Sequence, residues 1–132
     1  MEKVSVIGMG YVGTAMATLV ASTKKGKKFK YHVTGIEKDN AKGKLISNFL
    51  NKGILPFDIN DKTFKRKFSF AAKKQKNLVC SNSMSDISDS KIVIVSINCD
   101  LKNKSNPQVD LKTFLKSIRL ILENINKKAV LI

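Results

Sequence analysis

The chain has 132 residues, 42% of them apolar, enough for one domain with its own core and too apolar for a disordered tail. Lysine and arginine number 25 against 10 aspartates and glutamates, a net charge of +15. No apolar run reaches the roughly 18 residues of a membrane-span candidate. The opening residues, broken by glycines and followed by no small-residue cleavage site, do not read as a signal peptide.

Cys80 and Cys99 have neither CxxC nor zinc-clip spacing. A reduced, cytoplasmic protein is expected, with Cys80 as a buried apolar filler and no metal site. The charge excess raises the prospect of a polyanionic partner. Its lysines fall in two clusters, Lys24 to Lys30 and Lys62 to Lys76. Arg66 and Arg119 are the only arginines, tryptophan is absent, and few aromatics interleave, so no base-stacking platform is legible. A solvated lysine surface with mild attraction for anionic nucleotides is the expectation, and nucleic-acid binding is not.

In chain order, Lys3 to Ile7 reads as a short buried strand. It runs into Gly8-Met9-Gly10-Tyr11-Val12-Gly13, a Gly-x-Gly-x-x-Gly turn that opens a helix. Gly8 would allow the sharp turn, Gly10 the close approach of a pyrophosphate, and Gly13 the close seat of the helix on the sheet. The helix N-terminus adds partial positive charge to an anion site. Val12, Ala15, Met16, Leu19 and Val20 recur at helical spacing and predict the buried face of that helix. The first lysine cluster then predicts a loop.

Tyr31 to Ile36 reads as a second strand, ended by Glu37. An acid there can accept hydrogen bonds from a ribose diol, usually about 20 residues past the glycines. Glu37 lies a few residues further, an excess the lysine loop absorbs. The competing reading is a surface acid paired with a lysine. His32, within the strand, has no acidic neighbour in sequence to orient it and reads as a packed or edge histidine. Asp39 is a candidate N-cap for a helix over about Asn40 to Asn51, with Leu45, Ile46, Phe49 and Leu50 as its apolar face and Gly53 as its C-terminal cap. Ile54 to Phe57 is a turn, and Asp61 to Phe70 a shorter helix.

Leu78 to Cys80 predicts a third strand and Ser85 to Asp89 one helical turn. Ile92 to Val95 shows no alternation and predicts a central strand buried on both faces. Asn98 to Gln108 is a polar loop. Asp110 caps a last helix whose predicted buried side carries Leu111, Phe114, Leu115, Ile118, Ile121, Leu122 and Ile125. Ala129 to Ile132 begins a fifth strand. The sum is an α/β, Rossmann-like, doubly wound parallel sheet of about five strands with helices on both faces, a single domain over 1–132. Gly8, Glu37 and the pair Asn98–Cys99 all follow strand carboxyl ends, where dinucleotides bind in such folds.

Four segments resemble the N-terminal NAD-binding domain of the UDP-glucose/GDP-mannose dehydrogenases, the nucleotide-sugar 6-dehydrogenases. Val6 to Gly13 resembles the family's opening, with its characteristic Gly-Tyr-Val-Gly. Val33 to Asp39 resembles its second strand, with Glu37 where Asp is usual. Leu50 to Phe57 resembles its Leu-Asn-x-Gly-x-x-Pro-[Ile/Phe] turn, and Asp110-Leu111 its last helix start. The resemblance implies NAD as cofactor, held by Gly8, Gly10, Tyr11, Val12 and Gly13, with Glu37 on the adenosine ribose and Lys42 at a basic cofactor position. It places Cys99 where the family has Thr in Val-Pro-Thr-Pro, beside the nicotinamide half.

There are departures. Ile97-Asn98-Cys99-Asp100 replaces Val-Pro-Thr-Pro, and Lys91 stands where an acid usually precedes the strand. The family's nucleophilic Cys, its base and its UDP-binding domain would lie beyond Ile132, so the resemblance implies no catalytic residue within this chain. Activity on a UDP-sugar, and dimerisation, belong to a longer context. NAD is expected over NADP, because Glu37 would repel a 2′-phosphate. The alternative is a degenerate nucleotide- or polyanion-binding module without dehydrogenase activity.

Overall fold

The computed structural model describes residues 1–98, 105 and 111–132. Its elements are β1 (Glu2–Ile7), α1 (Tyr11–Ser22), a hairpin of β2 (Lys24–Lys25) and β3 (Lys28–Phe29), β4 (Tyr31–Ile36), α2 (Ala41–Asn51) and α3 (Lys62–Ser69). α3 continues into a π-helical turn, Phe70–Gln75. There follow β5 (Leu78–Ser81), a 3-10 turn (Met84–Ile87), β6 (Ile92–Val95), α4 (Leu111–Asn124) and β7 (Val130–Leu131).

The main sheet has the order β5-β4-β1-β6-β7, with every pairing parallel. The chain winds outward from β1 through β4 to β5, then crosses back to β6 and winds outward on the other side. The strand order therefore reverses beside β1, which is where such sheets leave a crevice at their carboxyl ends. In register, Ile7 lies opposite both Ile36 and Val95, and Ile36 opposite Ser81. The segments after β1, β4 and β6 thus emerge at one level.

Alternate strand residues feed two cores. Val4, Val6, Val33, Leu78 and Ile94 pack with Ala17, Ala21, Leu50 and Phe68 of α1, α2 and α3. Ile7, Ile36 and Val93 pack with Ile87 of the 3-10 turn and Ile121 of α4. The doubly wound arrangement expected from the sequence is present. β6 is an interior strand, as its apolar run predicts, although the middle position belongs to β1.

Several local expectations are corrected. The fully buried stripe of α1 is Gly13, Thr14, Ala17, Thr18 and Ala21; of the expected face Met16 and Val20 pack partly buried against the same core, while Val12 and Leu19 are 64% and 61% exposed. Small residues win because the helix lies too close to the sheet for large ones. The two threonine hydroxyls are absorbed locally, donating to the carbonyls of Met9 (3.0 Å) and Thr14 (2.8 Å). On α4 only Ile121 is fully buried, with Ile118 and Ile125 partly so, and Leu111, Leu115 and Leu122 face outward. On α2, Leu50 is buried and Leu45 exposed.

The first lysine cluster is a tight hairpin rather than a loop. Gly26, at φ 62, takes the two-residue turn. Phe29 meets Phe70 with ring centroids 6.0 Å apart, so the hairpin lies against the helical segment that carries the second lysine cluster. The N-cap of α2 is Asn40, whose side-chain oxygen accepts from the Gly43 N–H at 2.8 Å. Asp39 instead forms an exposed ion pair with Lys44. Gly53, at φ 66, does end α2: its N–H donates to Leu50 O and that of Ile54 to Phe49 O, a Schellman pattern. The expected Asp110 cap lies outside the described residues.

Cys80 is partly buried, and burial followed by the Glu37 charge pushes its thiol up to about 12. It sits on β5, the free edge of the sheet. The Asn51 amide takes the place of a further strand there, accepting from the Cys80 N–H (2.7 Å) and donating to its carbonyl (2.9 Å). Removing both bonds by Asn51→Ala should lower stability by about 1–3 kcal/mol, read as an earlier urea midpoint with an unchanged slope.

His32 is partly buried on β4, opposite Lys3. Burial, then the Lys3 ammonium, lower its pKa from 6.5, while Asp89 opposes the shift. The folded state therefore favours the neutral ring. Its contribution to stability is present above pH 6.5 and is lost as the pH falls through 6.5 towards the lower folded value. Thermal melts should drop across that window, ahead of carboxylate titration near ~4, and His32→Gln should flatten the drop.

Candidate functional site

At the carboxyl end of β1 the backbone turns sharply at Gly8, which sits at φ 89. Its N–H donates to Ile36 O (2.8 Å), and a Cβ there would lie 2.4 Å from the Ser96 carbonyl oxygen. The residue is wedged between the ends of β4 and β6. Met9 turns inward, fully buried, into the space left by Gly35, where a Cβ would stand 2.6 Å from the Met9 sulfur. Gly13 brings α1 down onto the turn itself, since a Cβ there would lie 1.8 Å from the Gly8 carbonyl oxygen.

Gly10 behaves differently. It is the N-cap of α1, with no side-chain cap, and a Cβ there would meet no atom of the described residues within 4 Å. Among the described residues nothing packs against this position, and Gly10 borders the cavity above. The first-turn N–H groups of α1 have no partner within the helix and point to the same side, where they and the helix dipole favour an anion.

Glu37 stands across the turn. Its Oε2 accepts from the Met9 N–H at 3.0 Å and its Oε1 from the Lys38 N–H at 3.0 Å. Its own N–H donates to Ser81 O at 3.0 Å, extending the β4–β5 ladder by one step. The carboxylate is thus fixed beside the glycine turn, with lone pairs left over for a vicinal diol. Among the described residues no salt bridge to it is present.

These groups border one cavity of about 430 Å³. The glycine turn supplies Gly8, Gly10, Tyr11 and Val12, and the β4–α2 segment supplies Glu37, Lys38 and Lys42. Ser96, Ile97 and Asn98 come from beyond β6, and Thr113, Phe114 and Ser117 from α4. Of the residues singled out from the sequence, Gly8, Gly10, Tyr11, Val12, Glu37 and Lys42 are brought together. Gly13 lies beneath, as packing, and Cys99 falls outside the described residues.

The α4 wall was not legible in the sequence. Phe114 read as core, and Thr113 and Ser117 carried no motif. Their i, i+4 spacing on the helix that follows the fourth main-sheet strand was the available signal. Tyr11 leans on Phe57, with centroids 4.4 Å apart and planes 35° apart. That contact joins the glycine turn to the Ile54–Phe57 turn.

Such a site offers hydrogen-bond donors and positive potential for a phosphate, an acceptor for a ribose diol, and a cleft between them of dinucleotide character. A family model described as "UDP-glucose/GDP-mannose dehydrogenase family, NAD binding domain" matches residues 2–132. Among solved structures, the fold is similar to an NDP-N-acetyl-D-galactosaminuronic acid dehydrogenase from Methanosarcina mazei Go1, with a TM-score of 0.84 at 22% identity, covering 99% of this chain and 26% of that one. It is also similar to a UDP-D-ManNAc dehydrogenase from Pyrococcus horikoshii (TM-score 0.73, 21% identity, 98% and 27% covered). A third is a GDP-mannose dehydrogenase from Pseudomonas aeruginosa in a ternary complex (0.68, 19%, 89% and 24%).

At these identities the structural likeness shows the fold, and the chain spans about a quarter of the length of those proteins. A search of curated protein sequences finds no match. Among the described residues no helix is long and apolar enough to cross a membrane. With the family model matching from Glu2 to Ile132, the chain belongs to the UDP-glucose/GDP-mannose dehydrogenase family, of which it is the NAD-binding domain.

Proposed function

We propose that this chain holds NAD in the cavity above Gly8–Gly13 and serves as the cofactor half of a nucleotide-sugar 6-dehydrogenase in the cytoplasm. The observation that carries the reading is the Glu37 carboxylate, fixed on the Met9 N–H of the glycine turn at 3.0 Å, next to the open side of Gly10. The turn and the first-turn N–H groups of α1 hold the pyrophosphate. Glu37 accepts the adenosine ribose hydroxyls, and Lys42, at the cavity rim, adds positive potential.

When bound, NAD supplies the hydride acceptor. Residues 1–132 position it and exclude a 2′-phosphate through the negative charge of Glu37. Oxidation of a UDP-sugar at C6 would be the activity of the whole enzyme of which these residues are the cofactor half. Asn98, following β6, borders the same cavity.

Calorimetry should show NAD binding at least about tenfold tighter than NADP, a difference of ~1.4 kcal/mol. Folded protein that gives no heat with NAD, or that prefers NADP, would overturn the reading.

Two glycine variants separate cofactor room from packing. Gly10→Ala should melt within about 0.5 kcal/mol of the parent yet lose NAD affinity by roughly tenfold or more, because its methyl enters the cavity and not the protein. Gly13→Ala should be destabilised by about 1–3 kcal/mol or more, because its methyl meets the Gly8 carbonyl. Equal NAD affinity for Gly10→Ala and the parent would show that the cofactor does not approach this backbone.

A further inference from the structure

The backbone beneath the Glu37 carboxylate is held by a residue that contributes nothing to the cavity lining. Asn82 follows β5, and its Nδ2 donates to the Lys38 carbonyl at 2.9 Å and more weakly to the Glu37 carbonyl at 3.4 Å. The Lys38 oxygen also accepts from the Asn40 N–H at 2.9 Å. On its far side it is pressed by α2, where a Cβ at Gly43 would stand 2.0 Å away. Asn82 is itself held in place. The Ser81 hydroxyl hydrogen-bonds the Asp86 carboxylate and accepts from the Ser83 N–H, which pins the residues on both sides of Asn82.

The consequence for the acid follows from its own bonds. Oε1 of Glu37 takes the N–H of the 37–38 peptide, whose own carbonyl Asn82 reaches at 3.4 Å and whose following carbonyl, that of Lys38, it holds at 2.9 Å, and Oε2 takes the Met9 N–H. If the 37–38 peptide rotates, the carboxylate cannot keep both donors, and the direction of its free lone pairs changes. A group placed this way needs its supporting contacts as much as its own side chain.

We propose that Asn82 is a positioning residue for the ribose-binding acid: by clamping the Glu37 and Lys38 carbonyls it aims the Glu37 carboxylate at the adenosine 2′-hydroxyl and so contributes to NAD selectivity without touching NAD. The proposal rests on the ribose role of Glu37 given above.

The test is calorimetry on the 132-residue chain with NAD and with its analogue lacking the adenosine 2′-hydroxyl. The parent should prefer NAD, and Glu37→Gln should abolish the preference. Asn82→Ala should weaken NAD by about three- to tenfold and leave the affinity for the deoxy analogue unchanged, with little change in the melting temperature. Should Asn82→Ala fail to fold, Asn82→Asp, isosteric but without the donor, decides by the same readout. Parent-like NAD affinity in these variants, or equal losses for both ligands, overturns the role of Asn82. A preference that survives Glu37→Gln overturns the ribose reading instead.

Discussion

The close seat of α1 on the Gly8 carbonyl governs the rest of the site. With hydrogen in place of Cβ at Gly13, the first turn of the helix rests directly on the backbone that leaves β1. A helix that close fills its fully buried positions with small residues, Gly13, Thr14, Ala17, Thr18 and Ala21, and brings Met16 and Val20 in only at the margin of the core. The same proximity fixes where the N-terminus of the helix points. It opens above the carboxyl end of β1, beside the strand-order reversal, so the partial positive charge of the helix lies in the crevice that the topology leaves free.

On the NAD reading proposed above, the site would divide the two chemical halves of an adenosine diphosphate. The uncapped helix start favours the charged group and Glu37 favours the neutral hydroxyls. The two are compatible because the acid spends part of its acceptor capacity on the Met9 N–H, a donor from the same turn. One hydrogen bond therefore sets the spacing between the anion cradle and the diol acceptor. On the same reading, a phosphate added to the ribose would meet the Glu37 charge, with Lys38 and Lys42 at the rim too exposed to offset that repulsion strongly.

The strands, the glycine turn and the acid after the second main-sheet strand were legible because each rests on a local rule: an apolar run, a backbone that must turn, a residue type at a strand end. The faces of the helices were not. On α1 the large apolar residues Val12 and Leu19 suggested the buried side, but distance to the sheet selected by size instead of hydrophobicity. On α4, Phe114 turns to the cavity and Leu115 outward, while the stripe through Ile118, Ile121 and Ile125 packs inward. Periodicity alone could not separate these overlapping stripes. The lysine hairpin was hidden for a different reason. Its stabilising contact, Phe29 on Phe70, joins segments far apart in sequence, and charge composition masked the glycine turn between its two short strands.

Asparagine does much of the joining that regular ladders leave undone. Asn51 closes the free edge of β5, and Asn82 clamps the peptide after β4. Asn77, buried, donates from one amide nitrogen to Ala21 O (2.7 Å) and Tyr31 O (3.0 Å), tying the end of α1 to the start of β4. Asn51 donates and accepts like a peptide without continuing the chain, while Asn77 and Asn82 each bring two carbonyls onto one amide nitrogen. Backbone groups just past a strand end are the ones a binding crevice must leave outside the ladder, and unpaired they would cost about 1–3 kcal/mol each when buried. The crevice needs irregular backbone for access and fixed backbone for aim. Side-chain amides reconcile the two, holding the acid loop still while its carboxylate and the neighbouring turn remain open to the ligand.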